Sequence, residues 1–193
     1  MLPPSLQHNF SLDAATRERY AALFHRMEAP ARTLLLKEGQ VSQKAFFVVK
    51  GCLRVWFNNQ GRELTCQFFF EGESVSSIES FRKNTPSQYN IETIEPSELY
   101  WIHKTDFEKM QEEQRDNVGY MQQMMQVLFE RQLHYMQLFF SFIRDTPTQR
   151  YQHLLDQHPE IIRRVPQHYI ASYLGITPVS LSRIRHKLLR TAR

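Results

Sequence analysis

Residues 167–190 read QHYIASYLGITPVSLSRIRHKLLR. Ile170, Ala171 and Leu174 fall on one face of a short helix, and Gly175 suits the left-handed residue of a tight turn. Ile176 is placed to plug the space between two helices. Thr177 is placed to cap the second, with Pro178 at a favoured first helical position. Leu181, Ile184, Leu188 and Leu189 make the expected buried stripe, leaving Val179, Ser180, Ser182, Arg183, His186 and Lys187 mostly outward. The pattern predicts a helix-turn-helix. A plain helical hairpin in a core would need an apolar outer face on its second helix, and here that face is serine and arginine.

Such a helix fits the major groove, where a guanine edge offers two acceptors to a guanidinium fork. Arg183 is the first choice for that role, with Ser180 and Ser182 near bases or backbone. Thr177 and the exposed amides at the helix start are set to meet a phosphate. Arg185, Lys187 and Arg190 read as phosphate partners, since they lie further round the helix. Double-stranded DNA is therefore the expected partner.

The charge agrees. Residues 144–193 hold 9 Lys/Arg against 3 Asp/Glu, a net of +6, whereas residues 1–143 carry a net of −2. Such asymmetry points to a polyanion at the C-terminal end. The 193 residues are 41% hydrophobic and 23% charged, the balance of a globular protein. Two cysteines, Cys52 and Cys66, make no disulfide framework and match no metal-finger spacing. The start MLPPSLQHNFSL has neither a basic nor an apolar signal region, and no stretch suits a membrane span. The expectation is a cytoplasmic protein without membrane association.

Upstream of the basic segment, residues 11–28 predict an opening helix, capped by Ser11 or Asp13, with Leu12, Tyr20, Leu23, Phe24 and Met27 as its apolar stripe. Short β-rich runs follow at 33–36, 45–49, 53–57, 64–70, 89–94 and 99–103. Gly39, Gly51, Gly61 and Gly72 punctuate them at 10–12-residue spacing. This is the rhythm of an antiparallel sandwich or barrel. From about Asp106 to Ile143 there is no proline, which predicts one long helix. Its heptad positions are Val118, Met121, Met125, Leu128, Gln132, Tyr135, Phe139 and Phe142, apolar at seven of eight. Tyr120, Met124, Val127 and Leu138 form a second stripe. One stripe suits the β domain and the other a second copy of the chain. Residues 148–158 predict a short helix, with 159–166 as a connector.

A glycine-punctuated β-roll, a long helix and a terminal helix-turn-helix, in that order, resemble the Crp/Fnr family of bacterial transcription regulators. The resemblance is carried by VVKGCLRVWFNNQGRE, GESVSSIESF and IASYLGITPVSLSRIRHKL, the last two similar to a branch common in Bacteroidetes-type bacteria. It implies an α+β fold: a jelly-roll-like antiparallel β-roll sensor over 1–104, a dimerisation helix over 105–143, and a compact winged-helix-like domain over 144–193. It implies a homodimer on a palindromic operator, with RNA polymerase as a further partner. Met121, Met125, Leu128, Tyr135, Phe139 and Phe142 would form the dimer seam. The position after Pro178, often acidic in the family, is Val179, which suits a thymine methyl. The end at Arg193 leaves little room for strands after the recognition helix.

In cyclic-AMP-binding members a cassette after the sixth strand supplies a glutamate for the ribose and an arginine for the cyclic phosphate. The resemblance places Ser77 and Ser87 at those positions. A buried phosphate without its arginine is strongly disfavoured, so cyclic AMP in the usual mode is not expected. Arg82 and Lys83 would substitute only if their loop folded inward. The candidate effector pocket comprises Gly72, Ser76, Ser77, Ile78, Glu79, Ser80, Ser87 and Tyr89, with Leu133 and His134 facing it from the long helix. A degenerate, filled pocket and a different ligand are equally compatible with this lining, so the cofactor stays unknown. No haem, metal or iron–sulfur signature appears. The eight histidines form no HExxH or Cys/His cluster, no glycine-rich phosphate loop or GxSxG occurs, and no catalytic residue is expected. The alternative is a cyclic-nucleotide-type sensor that acts through protein partners, and weak salt dependence would mark it.

Overall fold

Strand β3 (Lys44–Lys50) shows how one alternating run serves two cores. Its even-numbered Phe46 and Val48 point into one cluster with Leu53, Val55, Ile91 and Leu99. Its odd-numbered Ala45 and Phe47 point into a second cluster with Tyr20, Phe24, Phe81, Ile102 and Met110. In the computed structural model, residues 2–3 and 12–191 are described. Helix α1 (Ala14–Ala21) is followed by β1 (His25–Ala29), β2 (Leu34–Leu36), β3, β4 (Leu53–Asn59), β5 (Arg62–Phe69) and β6 (Ser74–Val75). After α2 (Ile78–Lys83) come β7 (Asn90–Thr93) and β8 (Ser97–His103). They form two four-stranded sheets ordered β1-β8-β3-β6 and β2-β7-β4-β5. The ladders β1–β8, β8–β3, β3–β6, β2–β7 and β7–β4 are each antiparallel. This is the expected β-roll.

The opening helix is shorter than the periodicity predicts. Asp13 caps it, its Oδ1 accepting from Thr16 N at 2.9 Å, and the alternative cap Ser11 lies outside the described residues. Residues 25–29 leave the helix for a full ladder with β8, from His25 opposite Trp101 to Ala29 opposite Ser97. Cross-strand pairing overrides the local pattern: His25 stacks on Trp101 at 4.4 Å, and Arg26 meets Glu98 at 2.6 Å. The sequence reading also passed over β6 and α2. Each is too short to show a period.

The expected long helix is two helices, α3 (Lys104–Glu113) and α4 (Val118–Arg144). Asn117 restarts the second, its Oδ1 accepting from Tyr120 N at 3.1 Å. Then come α5 (Pro147–Gln157), α6 (Pro159–Arg164), α7 (Gln167–Tyr173) and α8 (Pro178–Thr191). Thr146 and Gln149 close a capping box on α5. The expected connector 159–166 is mostly α6. Pro159 at its first position, Glu160 in its first turn and Arg163/Arg164 in its last are helix signals that were missed. The described residues divide into an N-terminal unit, up to 57 plus 68–129, and a C-terminal unit, 58–67 plus 130–191. Helix α4 contributes to both.

Candidate nucleic-acid interface and sensor pocket

In the C-terminal unit, α7 buries Tyr169, Ile170, Ala171 and Tyr173, with Leu174 buried just after it. Gly175 turns the chain at φ +69°, and a Cβ there would meet Phe142 Cε1 at 3.3 Å. Ile176 N donates to Ala171 O at 2.9 Å, which locks the turn. Thr177 caps α8, its Oγ1 accepting from Ser180 N at 3.1 Å and sharing a 2.9 Å hydrogen bond with Ser180 Oγ. The helix hangs on Leu181, which is fully buried, with Ile184 and Leu188 half-buried.

The outer face of α8 presents Val179, Ser182, Arg183, His186 and Lys187 to solvent, with Thr177 exposed just ahead of it. Ser180 and Arg185 are half-buried. One element of the expected stripe fails: Leu189 is 65% exposed. It stands in the last turn of α8, well beyond the buried anchor Leu181. Ser172 on α7 carries a bond the sequence did not announce. Its Oγ donates to Glu63 O at 2.8 Å and accepts from Thr65 N at 2.9 Å, tying the β4–β5 hairpin tip into this unit.

On α4 the two stripes separate by exposure. Tyr120 is buried and Met124, Val127 and Leu138 are half-buried, whereas Met121, Met125, Leu128, Tyr135, Phe139 and Phe142 are all exposed. Phe129, Leu133, Met136, Phe140 and Ile143 form a further exposed apolar row, one residue on from the heptad row.

In the N-terminal unit, Ser77 and Ser87, the two cassette positions, meet each other. Ser87 Oγ lies 3.0 Å from Ser77 Oγ and donates to Tyr89 O at 2.7 Å. Both are buried, as is Ser80, whose Oγ accepts from Ser42 N at 2.8 Å. Tyr89 Oη donates to Ser76 O at 3.3 Å. Gly72 and Ile78 are exposed, and Glu79 points to solvent, 3.0 Å from Lys83. Arg82 and Lys83 lie on helix α2 rather than a loop, and Arg82 reaches Gln111 at 2.9 Å. Neither turns inward. The sequence reading missed Arg54, buried on β4 and paired with Glu92 across the β4–β7 ladder at 2.5 Å. Its only signal is a charge inside the alternating LRVW run. Leu133 is exposed on α4, and His134 lines a cavity of the C-terminal unit. Among the described residues no group of three His, Cys, Asp or Glu could hold a metal ion. No helix there is long and apolar enough to cross a membrane.

The described residues thus combine an antiparallel β-roll, a long helix with an exposed apolar row, and a helix-turn-helix with a basic outer face. The cyclic nucleotide-binding domain model matches residues 26–114. The CRP-like protein Clp of Xanthomonas campestris pv. campestris and that of Xanthomonas oryzae pv. oryzae are each 28% identical over 105 residues, 54% of this chain. The match spans 44% of those relatives' length. Among solved structures, the c-di-GMP responsive global regulator CLP of Xanthomonas campestris matches with a TM-score of 0.72 at 22% identity, over 93% of both chains. FixK2 of Bradyrhizobium japonicum matches with a TM-score of 0.70 at 17% identity, over 88% of this chain and 86% of that one. At these identities the solved structures establish the fold. Of these, CLP is described as a global regulator.

Proposed function

We propose that the chain is a homodimeric transcription regulator that reads a two-fold symmetric site in double-stranded DNA. The observation that carries this is the outer face of α8. Ser182, Arg183, His186 and Lys187 stand exposed on a helix whose opposite side is anchored by Leu181. Two such helices one helical turn apart, about 34–36 Å, would enter successive major grooves. The exposed heptad row of α4 supplies the surface that would join the copies. The division into sensor, dimer helix and DNA-binding domain near residues 104 and 143 belongs to the same proposal.

The sensor does not take cyclic AMP in the usual mode. The positions that would hold ribose and phosphate are two buried serines bonded to each other, and the buried guanidinium of Arg54 faces Glu92. One of the similar regulators is described as c-di-GMP responsive. A cyclic dinucleotide carries two phosphates, and it would find no free buried cation among the cassette positions described above. An effector, if one acts, must favour the DNA-competent dimer arrangement to shift the equilibrium.

Selection of binding sites from a random duplex pool tests the reading. The expected result is an enriched palindrome. Arg183→Ala should cost about 1–3 kcal/mol in affinity and relax preference at one base pair of each half-site. Binding should weaken steeply with salt as phosphate counterions are released. An unchanged site preference in Arg183→Ala removes that residue from base reading. Salt-insensitive capture of a protein, without duplex enrichment, would favour a sensor acting through protein partners.

A further inference from the structure

A cavity of about 340 Å³ lies wholly within the C-terminal unit, between the last turns of α4, helix α5 and the end of α7. Its walls hold an uneven set of charges. Arg144, Arg150, His134, His153 and His158 line it against one carboxylate, Asp145. That carboxylate is occupied: Arg144 Nε lies 2.8 Å away, Ser141 Oγ 2.9 Å and His153 Nδ1 3.4 Å. These contacts, Arg144 first, hold Asp145 below the usual carboxylate range, so it stays ionised.

Arg150 has no such counter-charge. Its terminal nitrogens donate to two neutral carbonyls, Asp145 O at 2.7 Å and Leu174 O at 3.0 Å. Its guanidinium lies 4.8 Å from the Phe142 ring centre, and its buried Nε has no hydrogen-bond partner. Among the described residues no carboxylate pairs with it. A half-buried cation whose terminal nitrogens meet only carbonyls favours an added anion. His134 and His158 face each other at 6.4 Å between ring centres. Leu138, Leu154 and Leu174 add apolar wall. His134, Ser141 and Leu138 lie on the side of α4 away from most of the exposed heptad row, so a partner copy on that row would leave most of the cavity uncovered.

We infer that this cavity binds a small organic anion, a planar or apolar body carrying a phosphate or carboxylate that meets Arg150, Arg144 and the histidines. The volume falls within the range of small-ligand pockets. Because the cavity touches both the end of α4 and Leu174, which abuts the Gly175 turn, its occupant sits where it can bias the helix-turn-helix.

Binding should also strengthen on acidification below about pH 6.5, as His134 gains a proton that an anion stabilises. Burial, then His158 and Arg131, keep the His134 pKa below its ordinary value, so its proton is gained only on the acid side of that value. The other ionisable groups facing the cavity do not oppose this. His158 Nδ1 lies 3.2 Å from Glu160, and burial pushes Tyr173 up to about 12, so it stays neutral.

The test is calorimetry on the full chain without DNA, so that its outcome is independent of the DNA-binding proposal. The probes are adenosine monophosphate, salicylate and uncharged adenosine. The phosphate or the carboxylate probe, or both, should bind with Kd of ~1 mM or tighter, and adenosine should not. The probe that binds identifies the charge class. His153→Gln with His158→Gln should weaken binding at least tenfold, and His134→Gln should flatten its pH dependence. Gln137→Trp, an exposed substitution at the cavity wall, should abolish binding while circular dichroism stays unchanged. Adenosine binding as well as its monophosphate, binding indifferent to Gln137→Trp, or no binding by either anion would each overturn the inference.

Discussion

Phe139→Glu should convert the proposed homodimer to a monomer. Phe139 is 63% exposed in the single chain and is the last but one position of the heptad row from Met121 to Phe142. A phenylalanine moved from water into a seam contributes about 1.5–3 kcal/mol. Both copies lose it, and two glutamates would face each other across a low-dielectric seam. The dimer constant should therefore weaken by roughly 10²–10⁴-fold, read by sedimentation equilibrium. Affinity for a palindromic duplex should fall with it, since one half-site contact supplies only part of the binding energy. Phe140→Glu, on the neighbouring exposed row, is the control and should do much less. A larger loss in Phe140→Glu would move the seam to the row of Phe129, Leu133, Met136, Phe140 and Ile143. A dimer unharmed by either substitution would refute the heptad assignment.

Gly51→Ala should be the most damaging small substitution in the β-roll. Gly51 turns β3 into β4 at φ +107°, a conformation that side chains rarely adopt. An added Cβ would overlap Ser97 Oγ and approach the Ser97 backbone Cα to 2.8 Å, so the neighbouring strand itself must move. Strain of about 1–3 kcal/mol and overpacking of similar size add up. At ~2–4 °C per kcal/mol for a chain of this size, Tm should drop by roughly 10 °C, measured by scanning calorimetry. Gly39→Ala is the comparison. It shares a positive φ of +87°, but its Cβ would meet nothing within 4 Å. Equal losses in the two variants would show that backbone strain alone, rather than the contact with Ser97, sets the cost.

Much of this molecule was legible in the chain because its signals are local. The run around Gly51 gives a turn between alternating strands, and TPVSLSRIR gives a capped helix with one apolar and one basic face. A capping hydroxyl reaches only three residues, so Thr177 could be assigned from its neighbours. The same locality explains the errors. Residues 25–29 carry a helical pattern, but a ladder with residues 97–103 decided them. Leu189 has the right spacing for burial yet stands exposed in the last turn of α8.

The sequence by itself determined the order of parts, the punctuation of the β-roll, the apolar repeat of α4 and the exposed basic face of α8. These depend on period, turn chemistry and charge within a few residues. Only the tertiary structure decided that Arg54 is neutralised by Glu92, 38 positions away, and that Ser77 and Ser87 satisfy each other. It alone brought Arg150, His134, His153 and His158 around one cavity. Burial, and with it the cost of an unpaired charge, is a property of which distant segments meet, and no local pattern carries that information.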